Sequence, residues 1–327
     1  VAEARLADMP KDAALIIVDD VLEALRRLAR AARARSKAKI VAVTGSVGKT
    51  SSKEMLRFTL SQSGETHASA ASYNNHWGVP LSLARLPQSA RYGVFELGMN
   101  HAGELTPLSE MVQPHIALIT TIEPVHIEYF SGIEAIADAK AEIFAGLTSG
   151  GAAVLNRDNP QFERLAQAAR SHGVKEIIGF GESKEAQARV ISAELAAEDS
   201  NVRASILGEE ISYTLGVPGR HVVQNSLGVL ACVKLAGADL AKAVRSLAQM
   251  MPPKGRGQRF MLQLKDGEAL LLDESYNANP ASMRAAIDVL GRAPVGAGGR
   301  RIAVLGDMLE LGAEAAKLHA GLAADLA

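Results

Sequence analysis

Apolar positions along the chain fall into short runs, and between the runs they recur at helical spacing. Residues 40–43 read Ile-Val-Ala-Val, β-formers in a run long enough for a buried parallel strand. From Lys49 the period changes. Met55, Leu56, Thr59 and Leu60 share one side of a helix, and Gly64 stops it. Strand-like runs follow at 92–97, 116–121, 152–155 and 175–180, with helical stretches near 105–112, 133–147 and 160–172 between them. That alternation predicts an α/β fold built on a doubly wound, mostly parallel sheet. Residues 189–215 alternate short β-rich pieces with polar turns, which predicts an antiparallel patch. Helices return at 222–236 and 240–250, and 259–264 with 269–273 reads as a hairpin. At the start, residues 13–18 predict a buried strand. Asp19 or Asp20 then caps a helix to about Arg35. Leu22, Leu25, Leu28 and Ala32 face inward on that helix, and Arg26, Arg27, Arg30 and Arg33 form a solvated face. Residues 36–39 read as a linker, and so does the glycine-rich stretch 293–300. Residues 301–305 predict one more strand, with a helix from about Glu314.

The stretch that organises the rest is 39–52, K-I-V-A-V-T-G-S-V-G-K-T-S-S. Strand, glycine turn and helix N-terminus make an anion site, because backbone N–H groups and the positive end of the helix dipole face one point. Lys49 adds charge for nucleotide phosphates, and Thr50 adds a hydroxyl that suits Mg²⁺. Val43 stands where a standard phosphate loop has its first glycine, so this is the shortened form G-x-x-G-K-T.

Bulk properties narrow the partners. Hydrophobic content is 48%, charged content 22% and net charge −1, so no global charge draws the chain to nucleic acid. No stretch of 18 apolar residues predicts membrane insertion. A single cysteine, Cys232, in an apolar run excludes an internal disulfide and fits a reducing compartment; the expected location is the cytoplasm. The chain starts without methionine and stops inside an apparent helix, so a fragment of a longer protein is expected.

Ligands of open α/β sheets sit at the carboxyl ends of strands. Glu96, Glu123 with His126, and Asp273 with Glu274 all fall there. Glu96 is a hard oxygen ligand for Mg²⁺. His126 alone is more often structural. Asn74 and Asn75, in Y-N-N-H-W-G-V-P, serve either a phosphate or the local backbone. Lys140 sits on an apolar helix, where a surface lysine is the plain reading. Arg256 and Arg259, in G-R-G-Q-R-F, are placed to clamp phosphate.

Together these motifs resemble the Mur ligase family, ATP-dependent amide-forming enzymes of peptidoglycan synthesis. The resemblance rests on T-G-S-V-G-K-T-S (44–51), Y-N-N-H-W-G-V-P (73–80), E-L-G-M-N-H-A-G-E (96–104), A-K-A-E-I-F (139–144) and P-G-R-H-V-V-Q-N (218–225). D-E-S-Y-N-A-N-P (273–280) and G-D-M-L-E-L-G (306–312) are the most selective. It implies that Thr44, Gly45, Ser46, Val47, Gly48, Lys49, Thr50 and Ser51 hold ATP. Thr50, Glu96 and His126 would bind Mg²⁺, with two ions expected. Lys140 would carry a carbamate that organises the second ion. Asn75 would lie near the γ-phosphate and Asn225 near adenine. Asp273, Tyr276 and Asn279 would surround the nucleotide, and one of Arg256 and Arg259 would reach the phosphates. The implied reaction phosphorylates a carboxylate to an acyl phosphate, which an amine attacks. The last two motifs, with the 96–104 segment, favour the member that joins D-Ala-D-Ala to a UDP-N-acetylmuramoyl-tripeptide, and a monomer is expected. The alternatives are another ligase of the superfamily, tripeptide-forming or folylpolyglutamate-forming, and a nucleotide-dependent binding module. The resemblance also implies a division. Residues 1–35 would be the tail of a uridine-nucleotide-binding domain, 36–297 a central ATP-binding domain, and 298–327 the start of an incomplete third domain.

Overall fold

The computed structural model describes residues 9–10, 12–125, 127–265 and 267–326. Nine strands form the main sheet in the order β2-β3-β1-β4-β5-β6-β7-β8-β9. They are β1 (Lys39–Thr44), β2 (Thr66–Ala68), β3 (Tyr92–Glu96), β4 (Ile116–Ile119), β5 (Ala152–Asn156), β6 (Glu176–Gly181), β7 (Ala188–Leu195), β8 (Ser200–Ile206) and β9 (Glu209–Leu215). Pairing is parallel from β2 through β7 and antiparallel from β7 through β9. The α/β class and the mostly parallel sheet expected from the sequence are both present.

Strand alternation explains the two layers of core. In β1, Val41 and Val43 face one side, and Ile40 and Ala42 the other. In β4, Ile116 and Leu118 oppose Ala117 and Ile119 in the same way. Both faces are apolar, as a parallel sheet covered on both sides requires. One side is covered by α2 (Lys49–Ser61), α7 (Arg220–Leu235) and α8 (Leu240–Ser246). The other carries α1 (Val21–Arg35), α3 (Gly78–Ala84), α4 (Leu105–Val112), α5 (Ile133–Ala141) and α6 (Phe162–Ser171). Cys232 is fully buried in the first layer. Strands β10 (Gln258–Leu264) and β11 (Gly267–Asp273) pair as a separate hairpin. Helices α9 (Pro280–Arg292), α10 (Ala315–Ala320) and α11 (Ala323–Leu326) follow. Ile287, Met308, Leu311 and Leu322 form a small third core there.

Four expectations are corrected. Residues 13–18 are not a strand; Ile16 is 82% exposed and Ile17 77%. Residues 301–305 are not one either; Val304 is 93% exposed. Apolar character makes a strand only where a neighbour takes its backbone N–H and C=O groups, and neither run has one. On α1, capped by Asp20 as expected, Ala29 and Ala32 make the buried face, while Leu28 is exposed. Arg33 leaves the solvated face and donates to the carbonyls of Val112 (2.8 Å) and Gln113 (2.9 Å). There it satisfies the otherwise unpaired end of α4.

Candidate functional site

The sheet order reverses direction at β1, with β3 on one side and β4 on the other, and the glycine turn leaves β1 at that point. Crevices form at such switch points. The turn is fixed by its neighbours. Thr44 Oγ1 donates to Leu97 O (2.7 Å). Ser46 N donates to Thr121 O (2.8 Å), Ser46 Oγ to Glu123 O (3.0 Å), and Glu123 N back to Ser46 Oγ (2.9 Å). Thr120 Oγ1 donates to Val47 O (2.5 Å). Gly45 (φ 143°) and Gly48 (φ 84°) take backbone angles that L side chains rarely adopt. A Cβ on Gly48 would stand 2.7 Å from Asn225 Nδ2, so α7 presses its Asn225 amide onto the turn. Lys49 Nζ donates to Gly45 O (2.7 Å) and Ser46 O (3.2 Å). Burial lowers the Lys49 ammonium below its usual range; Glu96 opposes that and Arg256 adds to it.

Beside the turn stands a buried carboxylate. Glu96, 1% exposed at the end of β3, accepts at Oε1 from Thr50 Oγ1 (3.2 Å) and Asn74 Nδ2 (2.8 Å). Ser72 Oγ lies 3.4 Å from Thr50 Oγ1. Among the described residues, Glu96 Oε2 is buried without a hydrogen-bond partner. A buried anion with an unmet lone pair is costly unless a cation or donor meets it. This donor set, carboxylate and hydroxyl oxygens, fits a hard divalent ion. Among the described residues there is no group of three or more His, Cys, Asp or Glu gathered for a metal. His126, the expected third ligand, lies outside the described residues.

Lys140 is buried on α5, not a surface lysine. Burial pushes its ammonium well below the usual range; nearby Lys49 adds to this, while Glu104 and Glu142 oppose it. Glu142 is engaged by the start of α4, accepting from Gly103 N (2.6 Å), Leu105 N and Thr106 N (both 3.1 Å).

Of the two arginines, the structure brings Arg256 to the turn. It acts electrostatically on Lys49, stacks over the Tyr276 ring at 4.3 Å, and holds down the Glu274 carboxyl, which burial raises to about 7. Arg259, the second residue of the hairpin, donates to Ala197 O while lining the same small recess as Ser51 and Arg256. Thr50, Ser72, Arg256, Asp273 and Tyr276 line one cleft of about 950 Å³. The Ser275 hydroxyl, and then Ser275 N donating at 3.1 Å, lower the Asp273 carboxyl. Ser51 and Arg256 line a smaller recess together.

Asn75 takes the local-backbone alternative, its Oδ1 accepting from Trp77 N (3.1 Å) and Gly78 N (2.9 Å) where the chain enters α3, and its neighbour Asn74 meets Glu96. Asn279 caps α9 in a reciprocal box with Ser282. The sequence reading missed Ser72, Thr120 and Thr121 altogether. A polar pair closing the apolar run of β4 was the available signal for the two threonines.

Two family models match the chain: the Mur ligase middle domain over residues 43–233, and the Mur ligase, glutamate ligase domain over residues 258–327. The UDP-N-acetylmuramoyl-tripeptide–D-alanyl-D-alanine ligase of Escherichia coli is 36% identical, covering 97% of this chain and 69% of its own length. That of Rickettsia prowazekii is 34% identical, covering 93% of this chain and 66% of its own. The chain thus spans about two thirds of the length of these relatives. The crystal structure of MurF from Acinetobacter baumannii superposes with a TM-score of 0.86 at 34% identity, covering 98% of this chain and 68% of that one. MurF ligase from Thermotoga maritima, solved with ADP, shares the fold with a TM-score of 0.80 at 23% identity, covering 97% of this chain and 71% of that one. The chain belongs to the Mur ligase family.

Proposed function

We propose that this chain carries the nucleotide and cation machinery of an ATP-dependent ligase that joins D-Ala-D-Ala to UDP-N-acetylmuramoyl-tripeptide in peptidoglycan precursor synthesis. The observation that carries the reading is Glu96 Oε2, buried and without a partner among the described residues, beside Thr50 and the glycine turn. Relatives and solved structures bearing that ligase name support the substrate assignment. The ADP of the Thermotoga maritima structure supports the nucleotide.

In this reading residues 44–51 cradle the ATP phosphates. Lys49 swings from its two loop carbonyls to the transferring phosphate, where its charge stabilises the transition state. Arg256 approaches from the other wall of the cleft, braced by Tyr276. Asp273 and Asn225 border the nucleotide. Asn75 would stand near the γ-phosphate and Asn279 beside the nucleotide, each bonded to the backbone at the start of the helix it precedes. Glu96 and Thr50, with His126, would hold Mg²⁺, and Lys140 as a carbamate would hold a second ion; bound there, the ions would supply charge neutralisation for phosphoryl transfer. Burial beside Lys49 favours the neutral Lys140 amine, the form that adds CO₂ to give an anionic carbamate and a proton. The tripeptide's terminal carboxylate takes the γ-phosphoryl group. The D-Ala-D-Ala amine then attacks the acyl carbon, phosphate leaves, and the amide forms. Among the described residues no helix is long and apolar enough to cross a membrane, which accords with soluble substrates met in the cytoplasm. A monomer is proposed. Residues 1–35, 36–297 and 298–327 are taken as first-domain tail, central domain and third-domain start.

The test is phosphate release by the full gene product with ATP and Mg²⁺. Release that requires both the UDP-linked tripeptide and D-Ala-D-Ala supports the assignment. Release driven by L-glutamate on a folate, or by nucleotide alone, rejects it.

A further inference from the structure

Lys53 is a fully buried lysine that none of the proposed chemistry uses. Lysine is almost never fully buried unless paired. Its Nζ donates to Ser69 O (2.9 Å) and Ala71 O (2.8 Å), and pairs with Glu54 Oε1 (2.5 Å). Lys53 follows Thr50 by three positions, so both side chains leave α2 on neighbouring parts of one face. The carbonyls it meets belong to the loop between β2 and α3. That loop turns sharply, with Ala71 at φ 45°, a left-handed angle costly for alanine. Beyond the turn come Ser72, 3.4 Å from Thr50 Oγ1, and Asn74, 2.8 Å from Glu96 Oε1. The far end is held as well: Gly98 N donates to Asn74 O (2.8 Å), and Asn74 packs so closely on Gly98 that a Cβ there would stand 2.7 Å from it.

We propose that Lys53 is a positioning residue for the cation end of the site: its ammonium staples the 69–71 backbone to α2, which sets Asn74 on Glu96 Oε1 and leaves Oε2 to the metal. The proposal rests on the nucleotide and cation reading above. An apolar side chain of the same length would fill the space, but it would leave two inward-facing carbonyls without donors. The loop would then shift to find water, and Asn74, still held at its carbonyl by Gly98 N, would lose the alignment of its amide on Glu96 Oε1. The glycine turn is tied instead to β3 and β4 through Thr44, Ser46 and Thr120, so metal-free nucleotide binding does not depend on the staple.

The experiment is calorimetric titration of the chain with ADP in EDTA, and of the ADP-bound chain with Mg²⁺, for the unsubstituted protein, Lys53→Met and Asn74→Ala. Urea midpoints are read in parallel, and Trp77, the single tryptophan, standing next to the loop, reports its environment by fluorescence. In Lys53→Met, Mg²⁺ affinity is expected to fall about tenfold or more, the usual effect of losing a group that orients a metal ligand, while ADP affinity in EDTA holds. Asn74→Ala, which leaves the staple intact, should reproduce the Mg²⁺ loss without lowering the urea midpoint as far. The double variant should bind Mg²⁺ no worse than the weaker single one, because both act on Glu96. A Lys53→Met protein that loses stability but keeps its Mg²⁺ affinity overturns the proposal, as does normal Mg²⁺ affinity in Asn74→Ala if Lys53→Met does not fold. Absence of ADP binding in the unsubstituted chain overturns the nucleotide reading itself, and this proposal with it.

Discussion

Gly45→Ala tests whether the glycine turn is as tightly held as its hydrogen bonds indicate. Gly45 sits at φ 143°, where an alanine costs about 1–3 kcal/mol in backbone strain. Its new Cβ would stand 2.1 Å from Thr120 Oγ1, 3.1 Å from Thr120 N and 3.2 Å from Thr120 Cβ. Real Cβ atoms do not approach so closely, so Thr120 must leave. Its hydrogen bond to Val47 O is then lost, at about 1 kcal/mol, and overpacking adds about 1–3 kcal/mol. The sum is about 3–7 kcal/mol, a large part of the roughly 5–15 kcal/mol that holds a folded domain together. Gly103→Ala is the control. It shares a positive φ of 86° but has no atom within 4 Å of the added Cβ, so it pays strain alone. Urea unfolding followed by circular dichroism should show Gly45→Ala more destabilised than Gly103→Ala by about 2–4 kcal/mol, the contact part of the sum. ADP binding should be lost in the first and kept in the second. Adding Thr120→Ala should recover part of the stability, since the two sites share one contact. Equal destabilisation of the two glycine variants would show that the turn yields freely and that the packing argument is wrong.

Lys49→Ala should remove nearly all ATP-dependent phosphate release from a protein that still folds, its urea midpoint lowered by the loss of the bonds to Gly45 O and Ser46 O; substantial release from the folded variant would reject the phosphate role. Lys140→Ala should do the same to release, and ¹³C-bicarbonate should give a carbamate signal in the Mg²⁺- and nucleotide-bound protein that the variant lacks; a bound metal with no such signal rejects the modification. His115 Nδ1 accepts from Ile40 N (3.0 Å), and burial, with Lys39 and Arg33 nearby, depresses its pKa to about 4. Its folded pKa lies below the unfolded value of about 6.5, so its contribution is complete above that pH and is lost as pH falls toward 4. The urea midpoint should therefore drop between pH 7 and pH 5 more steeply than in His115→Gln; parallel curves would remove His115 from the cause.

The glycine turn was legible because strand, turn and helix are contiguous, and local patterning decides all three. Glu96 was legible because it ends a strand beside β1, where strand ends converge on the turn. Choosing between Asn74 and Asn75 needed the start of α3, which Gly78 and Pro80 hide from any helical pattern. Separating Arg256 from Arg259 needed the start of β10 at Gln258, which places Arg259 on a strand where Ala197 O engages it, while Arg256 stays in the turn before it. Lys53 was invisible for a different reason. Its partners are backbone carbonyls of a loop, and carbonyls have no sequence signature. Residues 13–18 and 301–305 misled because an apolar run states that a strand is possible, not that a neighbour stands beside it.

The ligase chemistry is tested most directly by following oxygen. The tripeptide's terminal carboxylate is labelled with ¹⁸O, and the full gene product is supplied with ATP, Mg²⁺ and D-Ala-D-Ala. Passage through an acyl phosphate requires one labelled oxygen to leave with the phosphate, seen by mass spectrometry in equal amount to the amide formed. Amide formation with unlabelled phosphate, or labelled substrate returned intact while ATP is consumed, would contradict it.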